Sequence, residues 1–548
     1  MGRTKIFSVL ERLALEHGVA QREGETPQRV REEVTQRLTR KDFACGIAAA
    51  ALLPAFTFGT SSARGRERIA VVGAGLAGLT AAMTLHDAGI TATVYESATR
   101  IGGRLHSNPT YWENGQCTEW CGELIDTQHA NMHRLSRRFA LRLADVRAAQ
   151  PVGARETVFL NGSYYPMHRV DRDFAEIYPI LQEQLLQAGT TTTYHSSTAV
   201  GRMLDCMSIK EWIDRYVPDG ARSDLGQLLG QAYRNEYGRE AHEQSSLNLL
   251  YLLAYQARFD RRGGTLNILG ASDERYHIVG GNQRLTASIA HSLPRGCVKT
   301  GHRLVSLRKQ HDGRYQLRFG VRSANVTELF DRVLLAIPFS TLRNVEYSGA
   351  GFDSLKHRVI SELKYGTHTK LQLQFRQRFW HRPGPWPGKA NGTIYTDLQF
   401  QNAWDTTRAQ GGVTGIITKF TGGKACTDDA ASAPYSFAGS SPLVDRNAHT
   451  FLESLDRVWP GASRYYNGKA TQSTSLLDPN LLGSYACWLV GDYTRFCGYE
   501  GLRQDRVHFA GEHCSVQNQG YMEGAAETGI AAAREILADY RVRAKRAA

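Results

Sequence analysis

The stretch RIAVVGAGLAGLTAAMTLHDAGITATVYE, residues 68–96, decides the fold. Its opening, Arg68 to Val72, is an apolar run rich in β-branched residues and reads as a buried strand. Gly73-Ala74-Gly75-Leu76-Ala77-Gly78 follows at once. Helical periodicity then runs from Leu79 to Ala88, and a second strand from Thr91 to Tyr95 ends at Glu96. Strand, glycine turn, helix, strand and acid together form the fingerprint of a dinucleotide-binding βαβ unit. Gly73 permits the tight turn, Gly75 lets a pyrophosphate approach the backbone, and Gly78 lets the helix pack close to the strand. Leu76 and Ala77 open a helix whose free N–H groups and positive dipole end favour phosphate. Glu96, followed by Ser97, offers acceptors to ribose hydroxyls. A glycine turn alone is a weak signal; the acid 18 residues past Gly78 makes it a strong one.

Working outward, Arg100-Ile101-Gly102-Gly103-Arg104 follows the acid. The paired glycines, Gly103 among them, allow a second close backbone approach, and Arg104 suits a phosphate oxygen. Near the other end, Arg506-Val507-His508-Phe509-Ala510-Gly511-Glu512 reads as a strand and a glycine turn. Gly520-Tyr521-Met522-Glu523-Gly524-Ala525 then opens a helix through Leu537. These motifs resemble the flavin-containing amine oxidase family, which includes monoamine, polyamine and L-amino-acid oxidases. Val279–Leu285, Arg303–Leu307 and Val333–Pro338 are similar to further segments of that family, so the likeness runs from about residue 68 to about 537. It implies FAD, with Gly122, Glu123, Leu124, Leu304, Gly511, Glu512, Gly520 and Met522 joining the βαβ residues along the cofactor. Free N–H groups around Met522 would stabilise negative charge reaching the flavin pyrimidine ring.

The resemblance also implies the chemistry. Monoamine oxidases flank the amine with two tyrosines, and the matching residues are Tyr485 in GSYACW and Tyr521 in GYMEG. Their faces favour a correctly oriented amine and hold a cation on approach. Lys370, on the alternating strand TKLQLQF, stands ten residues before Trp380, the interval seen for the family's active-site lysine. That lysine holds a water against flavin N5 and assists reaction with oxygen. Ser484 stands where monoamine oxidases carry the cysteine that bonds to flavin, so FAD is expected without a covalent link.

The expected reaction is oxidation of a primary or secondary amine to an imine. The imine hydrolyses to an aldehyde and ammonia or a smaller amine, and oxygen becomes hydrogen peroxide. An L-amino-acid oxidase is the near alternative. Venom-like members grip the substrate carboxylate with an arginine in a GxMR element. Here Gly122-Glu123-Leu124-Ile125 matches, with Ile125 at the arginine position, although Arg234 and Arg239 remain available elsewhere. An isomerase, a desaturase or a flavoprotein without catalysis is the alternative from another class.

The expected fold class is α/β plus α+β. A Rossmann-like FAD domain is built from residues 64–130, 276–345 and 471–548, and a mixed-sheet and helical substrate domain from 131–275 and 346–470. With 42% hydrophobic and 22% charged residues the chain has globular composition. Its net charge of +13 is scattered apart from the short basic end Arg541–Arg546, so nucleic acid is not an expected partner. The nine cysteines show no zinc spacing, and Cys117 and Cys121 read as unpaired thiols. Residues 1–63 read as an extension with an export signal. Arg40-Lys41-Asp42-Phe43 precedes an apolar stretch, Ala44–Phe58, with small residues at Ser61-Ser62-Ala63. The pattern resembles a twin-arginine signal with lysine in the second place; without export the protein would be cytoplasmic. The apolar stretch is short of the ~20 residues of a membrane-spanning helix. The expected partners are the amine or amino acid and oxygen, no metal is expected, and a homodimer stays open.

Overall fold

A computed structural model describes residues 67–254, 272–429 and 431–547, with side chains to residue 540. The expected export segment and the basic side chains of residues 541–546 lie outside what is described.

Strand β1 (Ile69–Val72) leads through the glycine turn into α1 (Leu76–Asp87) and β2 (Thr93–Tyr95). Far along the chain come β3 (Val298–Lys299), β4 (Arg332–Leu335) and β5 (Val507–Phe509). The five pair in parallel in the order β5-β4-β1-β2-β3. β1, β4 and β5 are buried along their whole length, as a parallel sheet covered on both faces requires. Ile69 and Val71 enter one apolar cluster, Ala70 and Val72 another.

Strand order reverses between β1 and β4, and in open parallel sheets ligands bind at that switch point. Gly73 sits there with φ 106°, and a Cβ on it would lie 2.5 Å from the Ala336 carbonyl oxygen, so only glycine fits. The C-terminal helix, Met522–Ala547, packs along α1, with Ala526, Ala533 and Ile536 in the same cluster as Leu79 and Ala82.

The second large sheet belongs to the same compact unit, which begins at Glu67. It has eight strands in the spatial order 435–437, 466–474, 368–375, 415–422, 402–405, 389–396, 154–160 and 163–164. Its pairs are antiparallel except the one between Ala154–Leu160 and Lys389–Thr396. The strand His368–Phe375 shows how period-two alternation orients the sheet. Leu371, Leu373 and Phe375 pack with Val444, Phe451 and Leu455 of the helix Pro442–Val458.

The intervening side chains face residues 116–123. Lys370 Nζ donates to the Cys121 carbonyl at 2.8 Å, and Gln372 accepts from Thr118 Oγ1 at 2.7 Å. Gln374 Nε2 donates to Gln116 Oε1 at 3.0 Å. Each buried polar side chain here has a partner, which is what burial demands of it. Five helices between Met167 and Leu253 form the remaining wall, with Trp212, Leu228 and Leu250 in their shared core.

The stretch Arg303–Leu307, expected as a strand, extends to Lys309. It pairs in a three-stranded antiparallel sheet with Tyr315–Val321 and Ala324–Phe330. Every described cysteine is free, Cys117 and Cys121 included. No helix among the described residues is long and apolar enough to cross a membrane.

Candidate active site

A single cavity runs from the switch point of the parallel sheet to the polar face of the eight-stranded sheet. One end is lined by Gly73, Gly75, Leu76, Ala77, Glu96, Ser97, Gly103, Arg104 and Leu304. The middle is lined by Gly122, Glu123, Leu124, Gly511, Glu512, Gly520 and Met522. The far end holds Lys370, Tyr485 and Tyr521. Gly78 alone of the expected residues stays off the wall. It lies inside α1, where a Cβ would come 2.0 Å from the Gly73 carbonyl oxygen.

At the dinucleotide end, α1 starts at Gly75 with no side-chain cap and no acid in its first turn. A Cβ on Gly75 would point into open space, so backbone alone faces the cavity there. An uncapped helix start beside open space is a ready site for phosphate. The Glu96 carboxylate accepts from the backbone N–H groups of Ala74 and Ala98, both at 2.8 Å, which fixes it at the cavity wall.

His513 supplies an independent test of fit. It is 1% exposed, lines the cavity, and neither ring nitrogen has a partner among the described residues. Burial, reinforced by Arg104 and Lys356, holds the imidazole neutral, with one donor and one acceptor unspent. Phosphate oxygens and ribityl hydroxyls are partners of the kind it lacks, so the wall fits FAD. Arg104, expected on a phosphate oxygen, spends Nη1 on Glu512 Oε1 at 2.8 Å and on the Ser484 carbonyl at 2.5 Å. It thereby ties the GGR loop to the segment that carries Tyr485.

At the far end Lys370 Nζ forms an ion pair with Glu123 Oε2 at 2.9 Å. Glu123 Oε1 accepts from Trp404 Nε1 at 2.9 Å and from Thr406 Oγ1 at 3.1 Å. Burial alone would raise the Glu123 carboxyl; the charge and hydrogen bond of Lys370, with Trp404, hold it below its ordinary range. An ammonium has three donors. Lys370 spends two, on Glu123 and Cys121, which leaves one directed to neither.

Tyr485 lies 5.0 Å from the ring of His368, which stacks on Phe420 at 4.5 Å and 5°. Trp404 meets Phe420 edge-on at 5.5 Å. Tyr521 packs edge-to-face on His129 at 5.1 Å. Burial pushes both phenols well above their ordinary value of 10, so both stay neutral.

His368 is pinned between Ser484 Oγ at 2.6 Å and the Asn235 carbonyl at 2.5 Å. Burial, with Lys370 nearby, pushes it down to about 4 from its ordinary 6.5. Above pH 6.5 neither folded nor unfolded chain carries this proton; between 6.5 and 4 only the unfolded chain does. Stability therefore falls as the pH drops through that window and levels below it, by on the order of 3 kcal/mol for this one group. The His368→Asn variant is expected to flatten that part of a melting-temperature profile against pH; an unchanged slope would count against it.

Several wall residues have no sequence motif: Asn235, Glu236, Glu274, Tyr395, Asn402, Trp404 and Phe420. Strand register was the available signal for two of them. Phe420 pairs with both Lys370 and Asn402, so the three share one row. Trp380, ten residues past Lys370, is fully buried in the apolar core, stacked 6.0 Å from Trp459 and away from the cavity. Ile125 is fully buried against the dinucleotide-binding sheet. Arg234 and Arg239, expected to be available to a substrate carboxylate, are not. They pair with Glu240 at 3.0 Å and Glu243 at 2.6 Å, and neither lines the cavity.

A family model described as flavin containing amine oxidoreductase matches residues 76–537. The flavin-dependent L-tryptophan oxidase RebO of Lentzea aerocolonigenes is 26% identical over 523 residues, covering 87% of this chain and 99% of that protein. Polyamine oxidase 3 of Oryza sativa subsp. japonica is 24% identical over 487 residues, covering 85% and 88%. A solved wild-type putrescine oxidase bound to putrescine superposes with a TM-score of 0.71 at 18% identity, over 86% of this chain and 99% of that one.

Proposed function

Since the chain belongs to the flavin-containing amine oxidoreductase family and is a flavin-dependent oxidase, we propose that its substrate is a primary or secondary amine without a carboxylate, and that its FAD is held without a covalent bond. The chemistry FAD supplies when bound is acceptance of a hydride from the carbon beside nitrogen, with the electrons passed to oxygen as hydrogen peroxide.

The chain's own residues handle the amine. Tyr485 and Tyr521 are neutral phenols whose faces receive an amine and exclude water from it. Tyr485 is aimed by its hydroxyl, which donates to the Glu236 carbonyl. Lys370 keeps an N–H for a water molecule while Glu123 and the Cys121 carbonyl hold its position. Ser484, at the position of the family's flavin-bonding cysteine, is engaged with His368.

The observation that carries the substrate reading is the charge balance of the far end. Among the described residues there, the carboxyls without a side-chain partner are Glu236 and Glu274, and no arginine lines that end. A substrate carboxylate would find no guanidinium among the described residues there to pair with. An ammonium or a neutral amine meets a receptive wall.

Hydrogen peroxide release is the test, measured over a panel of alkyl and aryl amines beside the twenty common L-amino acids. The expected result is turnover of amines at kcat/KM at least ~10-fold above the best amino acid, a difference of about 1.4 kcal/mol. Peroxide from amino acids alone would establish the L-amino-acid oxidase reading instead. A flavin-loaded protein inert to both would sink the two together.

A further inference from the structure

Amines arrive in neutral water as ammonium ions, and the carbon beside an ammonium nitrogen does not release hydride. A proton must leave before oxidation starts, either to water before binding or to a group at the cavity's far end.

Glu236 lies in the last turn of the helix Asp224–Tyr237, and it lines the cavity. Its backbone is tied to the reaction centre on both sides: its own carbonyl accepts the Tyr485 hydroxyl, and the Asn235 carbonyl receives His368. Its carboxyl has no hydrogen-bond or ion-pair partner among the described residues, and its charge is felt by both Tyr485 and Tyr521. The other groups nearby are already committed or less well placed. His368 has both nitrogens engaged, and Glu123 is bound by Lys370, Trp404 and Thr406. Asp126 faces the backbone N–H of Glu274 and the His129 ring. Glu274 also lines the cavity, but it makes no hydrogen bond to either tyrosine among the described residues, and its backbone N–H is held by Asp126.

We propose that Glu236 is the proton acceptor for the incoming substrate ammonium. An N–H bond of the ammonium breaks and an O–H bond forms on the Glu236 carboxylate. The electron pair stays on nitrogen, no electrons change hands, and the amine is left neutral between the two tyrosines. The inference rests on the amine-oxidase reading above.

Burial, with the charge of Asp126, pushes Glu236 up to about 7, which matches a group that takes a proton from an amine and returns it to solvent at neutral pH. Glu274 is pushed up to about 8, by burial first and then by Glu236 and Asp126, with Arg408 opposing. Contacts separate the two acids: the backbone carbonyl of Glu236, not that of Glu274, receives the Tyr485 hydroxyl.

The experiment is the pH dependence of kcat/KM for the best amine in wild type, Glu236→Gln, Glu236→Asp and Glu274→Gln. Wild type is expected to show an acid limb, with activity rising as Glu236 loses its proton. In E236Q that limb moves up towards the titration of the free amine, and kcat/KM at pH 7 falls on the order of 10²-fold. E236D restores a limb at lower pH, and E274Q retains one. An unchanged limb in E236Q, or its loss in E274Q, overturns the assignment while leaving the amine-oxidase reading intact; absence of amine turnover in wild type removes both.

Should E236Q not fold, a wild-type measurement decides. Binding of an amine lacking α-hydrogen at pH 8 is followed with a pH indicator. No net proton release supports an internal acceptor, and one proton released per amine bound overturns it.

Discussion

Lys370→Met is expected to slow reoxidation of the reduced enzyme by oxygen about 10²- to 10³-fold, the usual cost of removing one electrostatic contact at a reacting centre. Lys370 is the lysine on the far wall, and it sits 5.3 Å from the Trp404 ring. Negative charge develops as oxygen is reduced, and among the described residues no arginine lines that end to replace the lysine. The same change also strands Glu123, a buried carboxylate. Removing one partner of such a pair costs about 3–5 kcal/mol unless the acid takes up a proton.

The two consequences separate in the double variant K370M with Glu123→Gln, which is expected to recover most of the lost stability and none of the lost reoxidation rate. Anaerobic reduction by the amine and reoxidation on mixing with oxygen, followed separately by rapid mixing, give the two rates. Wild-type reoxidation in K370M would reduce Lys370 to a structural role.

Gly73→Ala is expected to yield protein largely free of flavin and clearly less stable. The new Cβ would sit 2.5 Å from the Ala336 carbonyl oxygen, a backbone atom, at a φ of 106° that L-residues rarely adopt. The backbone conformation alone costs of order 1–3 kcal/mol, and relief of the clash must separate β1 from β4. FAD affinity is expected to fall at least ~10²-fold, which is about 2.7 kcal/mol.

Gly75→Ala is the informative partner, since a Cβ there meets nothing within 4 Å. Its apoprotein should melt near wild type while FAD affinity still falls, because the methyl occupies the space the backbone leaves for phosphate. Flavin absorbance per protein and thermal melts with and without added FAD distinguish the two. Equal melts for the G73A and G75A apoproteins would contradict the account of the switch point.

The parallel sheet was legible because its signals are local. A buried strand, a glycine turn and an acid occupy 29 consecutive residues, and each residue type has one strong physical reason to be there. The far end of the cavity was legible only where a motif or the alternation of a strand marked it, as with Lys370, Tyr485 and Tyr521. Glu236 sits on an amphipathic helix where a glutamate ordinarily faces water, and nothing in its neighbourhood distinguishes it. Trp404 and Phe420 belong to the wall because strands 402–405 and 415–422 pair beside 368–375, a register fixed by tertiary packing. The Lys370–Trp380 interval marked Lys370 and said nothing of where the tryptophan lies: the chain turns after Phe375, and Trp380 enters the core behind the sheet. The free arginines were misjudged, since Glu240 and Glu243 neutralise them locally.

The parallel sheet places β1, at residues 69–72, beside a strand made much later. β4 has β1 on one side and β5, at 507–509, on the other. While the ribosome is still working through the intervening residues, for on the order of ten seconds, the β4 edge stays unpaired. The helix that packs on α1 and lines the middle of the cavity through Met522 is made later still. The full cavity wall therefore exists only once these late segments have been made. Any route that moves this protein across a membrane after it has acquired its flavin must accept a finished fold.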